Sequence, residues 1–103
     1  MNIFENKSVE RLFAAIAGIK DEKECAAFFG DLCTIKEIQD MAQRLETAIL
    51  LDKGENYQTI SAKVGVSSAT ISRVSRCLNY GAGGYKSVLG KMEKGAGEDE
   101  DKR

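Results

Sequence analysis

The chain of 103 residues carries 15 Lys and Arg against 16 Asp and Glu, no His, no Pro and no Trp, with 43% of its residues apolar and 30% charged. That length fits a single domain with a modest core, and no apolar run approaches the roughly 20 residues that span a bilayer, so no membrane partner is expected. Three cysteines without a C-x-x-C pair or any histidine give no metal site to expect, and no nucleophile–base set marks an enzyme.

Every predicted element is a helix. Val9, Leu12, Phe13 and Ile16 recur at i, i+3, i+4 and i+7, predicting a helix over about 8–17 with Ser8 as N-cap and Gly18 at its end. The opening residues include Glu5 and Glu10 and no long apolar stretch, so no signal peptide is expected. The cysteine pattern fits the cytoplasm, and Cys25 and Cys77, set in apolar stretches, read as small core residues. Asp21 and Glu24 open a second helix whose buried stripe is Cys25, Phe28, Phe29 and Leu32.

Thr34-Ile35-Lys36-Glu37 is a full capping box and begins the longest helix, which reaches about Leu51 before Gly54 stops it. Ile38, Met41, Ala42, Leu45, Ala48, Ile49 and Leu51 repeat at threes and fours along it. Asn56 can cap a short helix through Val64; a turn follows at Gly65-Val66-Ser67, and the next helix runs from Ser68 to about residue 78 or 80. Gly81, Gly83 and Gly84 make a loop, and Val88, Leu89 and Met92 predict a last helix over about 85–94. Residues 95–103, rich in glycine and charge, are expected to form a disordered acidic tail to a single helical domain over 1–94.

The segment 56–79 has the features of a helix-turn-helix. Ala62 is a small residue that lets a second helix approach, Gly65 supplies the turn conformation, and Ile60, Val64, Val66, Ile71 and Val74 have the spacing to lock the two helices together. Ser67 in the turn and Ser68, Ala69, Thr70, Ser72, Arg73 and Arg76 on the second helix are short or basic residues suited to a major groove, with Lys63 and Lys53 placed for phosphates. Charge is distributed to match: residues 1–52 sum to −4, residues 53–94 to +5 and residues 95–103 to −2. Screening confines electrostatic attraction to about 8–10 Å, so the local +5 matters more than the overall −1.

Thr34, Leu50-Leu51 with Gly54-Glu55, and the string Ala69-Thr70-Ile71-Ser72-Arg73 resemble the tryptophan repressor family, and more closely its YerC/YecD-type relatives of Gram-positive bacteria. The resemblance covers about 34–79 well, with one residue missing between Gly54 and Gly65. It implies an all-α fold, an intertwined homodimer, and two recognition helices over 68–78 entering successive major grooves of double-stranded DNA. It places Ser68, Ala69 and Ser72 at base-facing positions and Gln58 where the family has a DNA-contacting arginine. Arg44 and Arg73 match the two arginines that sandwich the tryptophan corepressor, and Thr34 matches a residue near that pocket. Val74 stands where the family has glycine, and its β-branched side chain is expected to enter the volume of the indole, so no tryptophan cofactor is expected and any effector is unknown. Arg44 also has Asp40 at i−4, an ion-pair spacing. The function expected is a sequence-specific transcriptional regulator, a repressor; the alternative is a helical dimeric protein-interaction module without direct DNA readout.

Overall fold

The computed structural model describes residues 2–102, with side chains described as far as Gly95. The regular structure among them is helical: one turn of 3₁₀ helix, Ile3–Glu5, then α1 Lys7–Ala17, α2 Glu22–Leu32, α3 Ile35–Asp52, α4 Tyr57–Val64, α5 Ser68–Tyr80 and α6 Gly84–Lys102. Two compact units divide the chain, Met1–Ile38 and Gln39–Arg103.

In the first unit side-chain caps set the helix starts. Asn6, rather than Ser8, caps α1: its Oδ1 accepts the Ser8 and Val9 N–H groups at 2.8 and 3.4 Å. Ser8 instead turns its hydroxyl onto the same Asn6 oxygen. Asp21 caps α2 by accepting the Glu24 N–H at 2.7 Å. The capping box of α3 is closed in both directions, Thr34 N–H to Glu37 Oε1 at 2.8 Å and Glu37 N–H to Thr34 Oγ1 at 3.1 Å. These bonds, the backbone N–H first, hold the Glu37 carboxyl below its ordinary pKa.

The rings of Phe4 and Phe13 stack at 5.9 Å and those of Phe28 and Phe29 meet edge to face at 5.8 Å. Even so, no residue of the 3₁₀ turn, α1 or α2 is buried. Cys25, Phe28 and Phe29 are half-buried, but Leu32, expected on the same buried stripe, is exposed. The amphipathic faces are present, and within one chain they are only partly covered.

The second unit holds the core, in two clusters. Ala48, Val74, Leu78 and Leu89 form one, with Leu45, Ile49, Leu51 and Tyr85 packed on it. Ile60, Val66 and Ile71 form the other, flanked by Leu50, Leu51 and Val64. Leu51 belongs to the shell of both, so α3 ties them together. Thr47 is fully buried beside Ala48 and satisfies its hydroxyl by donating to the Gln43 carbonyl at 2.8 Å.

Three expectations change here. Cys77 is exposed rather than a core residue, and Cys25 is only half-buried. Ala62 is exposed; on α4 it is Ile60, Val64 and Ser61 that meet the turn and α5. The last helix runs on to Lys102, beyond the expected boundary at Lys94, while the side chains from Ala96 on, where the acidic tail was placed, lie outside the described residues. No helix among the described residues is long and apolar enough to cross a membrane.

Candidate nucleic-acid interface

Asn56 begins the helix pair by accepting the Thr59 N–H at 2.9 Å, which starts α4 at Tyr57. α4 ends at Gly65, whose φ of +82° and ψ of +27° lie in the left-handed region that glycine enters without a β-carbon penalty. Ser67 then caps α5, its Oγ accepting the Thr70 N–H at 3.2 Å and donating to Thr70 Oγ1 at 3.2 Å. A glycine at one helix end and a serine cap at the next change chain direction within residues 65–67.

α5 is two-faced. Ile71, Val74 and Leu78 are buried at i, i+3 and i+7. Ser68, Ala69, Ser72, Arg73 and Arg76 are exposed, Thr70 is half-buried, and Ser67 in the turn is exposed. Every exposed position in the first turns is a short side chain or an arginine. A groove-binding helix needs that combination, because small residues let the backbone approach base edges and guanidiniums reach guanine or phosphate. The seven DNA-contact candidates of the turn and α5 thus fall on one continuous segment, anchored from behind.

The α4 candidates differ from one another. Gln58 is exposed on the first turn. Lys63 lies 3.7 Å from Glu55, a pair invisible as a candidate in the sequence because eight residues separate the partners. Lys63 also borders a cleft shared with Ala42, Gln43, Glu46, Leu50 and Val64. Ser61 was missed too. Its hydroxyl donates to the Val66 carbonyl at 2.8 Å; the sequence signal is a serine four residues before a helix-ending glycine, where the side chain can reach past the cap.

Of the effector-pocket candidates, Arg44 and Arg73 come together, lining one cleft of about 240 Å³ with Asp40, Gln43, Val66 and Thr70. Val74 does not line it. Its side chain, 1% exposed, packs into the cluster with Ala48, Leu78 and Leu89, and therefore does not enter the space between the two arginines. It is also not a lock of the α4–α5 pair, since that cluster is built from Ile60, Val66 and Ile71. Thr34 is the cap of α3 in the first unit. Among the described residues no group of three or more His, Cys, Asp or Glu could hold a metal ion.

Comparison with known proteins agrees with this geometry. The family model described as Trp repressor protein matches residues 7–93. The uncharacterized protein YerC of Bacillus subtilis is 50% identical over 88 residues, 85% of each chain. The crystal structure of a TrpR-like protein from Eubacterium eligens superposes with a TM-score of 0.85 at 45% identity, covering 90% of this chain and 96% of the other. A candidate Trp repressor from Staphylococcus aureus gives a TM-score of 0.82 at 40% identity with the same coverage.

Proposed function

The chain belongs to the Trp repressor protein family, and on that premise we propose that it is a sequence-specific, DNA-binding transcriptional repressor that acts in the cytoplasm as a homodimer. α5 is the recognition helix, and the two copies of a dimer would read half-sites about 34–36 Å apart. The observation that carries this reading is the face of α5: Ser68, Ala69, Ser72, Arg73 and Arg76 exposed together over a buried Ile71, Val74 and Leu78. Ser67, Thr70, Gln58 and Lys63 complete the proposed contact set. The net +5 of residues 53–94 supplies the attraction to phosphate.

The cleft lined by Arg44 and Arg73 supports a pocket for a small effector bearing a carboxylate beside a donor group, since two arginines and the carboxylate of Asp40 border one space and Val74 packs into the core. No tryptophan corepressor is part of the proposal.

A mobility-shift assay with genomic fragments tests both statements. Wild type is expected to retard a subset of fragments. Arg73→Ala with Arg76→Ala should bind more weakly, with the salt slope reduced by about one for each phosphate contact removed. Among small carboxylates other than tryptophan, added one at a time, at least one should change the wild-type shift and leave that of Arg44→Ala unchanged. No retardation of any fragment at low salt would overturn the DNA reading, and a stoichiometric protein partner surviving nuclease would replace it with a protein-interaction module.

A further inference from the structure

Resting on the reading of α5 as the DNA-contacting helix, we infer that Ser61 is a positioning residue: its hydroxyl, bonded to the Val66 carbonyl, fixes the direction in which α5 leaves the turn and so the sequence discrimination of the protein.

Ser61 grips the turn twice. Its backbone carbonyl accepts the Gly65 N–H at 2.9 Å, a bond any residue could make. Its side chain adds the 2.8 Å bond to Val66, which needs a hydroxyl. The Val66 side chain is already buried with Ile60 and Ile71. Apolar contact is non-directional, however, and holds a side chain in place without fixing the rotation of its peptide plane. The Val66 carbonyl belongs to the peptide that carries the Ser67 N–H, and Ser67 is the cap of α5. Orienting that carbonyl therefore orients the cap from which α5 starts.

The geometry makes small errors costly. A tilt of about 10° at the turn would move Arg76, roughly 12 Å along the helix, by about 2 Å. Base-edge hydrogen bonds are made over a donor–acceptor range of only about half an ångström. Phosphate contacts by long side chains follow such a shift more easily. Loss of the hydroxyl should thus fall on specific binding and spare non-specific binding.

Ser61→Thr and Ser61→Val form the testing pair, equally β-branched and differing by the hydroxyl. Affinity is measured at one salt concentration for a duplex selected in vitro by the wild type and for a random-sequence duplex, with Thr70 amide exchange followed by NMR. Ser61→Val should lose about fivefold or more on the selected duplex, the size of one neutral hydrogen bond, and change by less than about twofold on the random one. It should also exchange the Thr70 amide faster, whereas Ser61→Thr should match the wild type in all three readouts. A purely stabilising role would weaken both duplexes in parallel, which would overturn the inference, as would wild-type discrimination in Ser61→Val. Failure of the wild type to hold any duplex would overturn the DNA reading itself, and the role of Ser61 with it.

Discussion

Lys63 reaches Glu55 at 3.7 Å, with 56% and 37% of the two side chains exposed. A pair this open to water contributes about 0.2–1 kcal/mol, less than a lysine gains from a nucleic-acid phosphate with release of its counterions. On the proposed contact set Glu55 would compete weakly with DNA for Lys63, and its own charge would repel the backbone of a bound duplex. Glu55→Gln keeps the shape and removes both effects. It is expected to tighten DNA binding about two- to fivefold at low salt, with the gain fading as salt screens the interaction. Lys63→Gln should weaken binding to all sequences alike and lower the salt slope by about one. Titration of labelled duplex at several salt concentrations checks both; weaker binding by Glu55→Gln would show that the pair instead holds Lys63 in its productive position.

At the level of the element, the α4–turn–α5 unit depends on a backbone conformation at Gly65 more than on space there. The φ of +82° is costly for an L side chain, yet a β-carbon at Gly65 would meet nothing within 4 Å. Gly65→Ala should therefore cost the backbone term alone, about 1–2 kcal/mol, and Gly65→Asn less, since Asn tolerates that region. Urea unfolding of the variants at one protein concentration measures this; an Ala variant as stable as wild type would mean the turn relaxes into another conformation. The same unit shows how far residues announce their structure. Asp21, the Thr34–Glu37 box, Asn56, Gly54 and Gly65 end or start helices through their own side chain or its absence, and each was readable. Asn6 and Ser8 are both good caps two residues apart, and choosing between them depends on where the chain enters the helix. Val74 fits the spacing of the α4–α5 lock, but the buried line of α5 rotates away from α4, so Val74 faces Ala48 and Leu89 while Cys77 comes out to solvent. The exposed face of small residues and arginines on α5 was legible because polarity and small size coincide there; the Ser61–Val66 and Lys63–Glu55 contacts were not, because they join residues across a chain reversal or a helix end.

For the whole molecule, the buried hydrophobic residues among those described are Ala48, Ile60, Val66, Ile71, Val74, Leu78 and Leu89, all in the second unit. Meanwhile Phe4, Phe13, Leu32, Ile35 and Tyr80 are exposed, Ile35 at 76% and Tyr80 at 87%. Scattered exposed apolar residues are ordinary, but a unit with amphipathic helices and no buried residue is not an independent core. The apolar stripe of α1, with Val9, Leu12 and Ile16 half-covered beside an exposed Phe13, is the kind of face a second copy would close, and a chain of this size gains from that burial. In such a dimer folding and association would be one equilibrium. Sedimentation equilibrium should give twice the chain mass of 11.2 kDa at micromolar concentration, and the melting temperature should rise with protein concentration. Phe13→Asp, which places a charge on the stripe and leaves the residues of segment 56–79 unchanged, should lower the melting temperature, weaken association and reduce DNA binding together, because two half-sites need two joined recognition helices. A wild-type chain that sediments as a monomer with a concentration-independent melting temperature would mean that the first unit is stabilised within its own chain, and that one α5 reads one half-site.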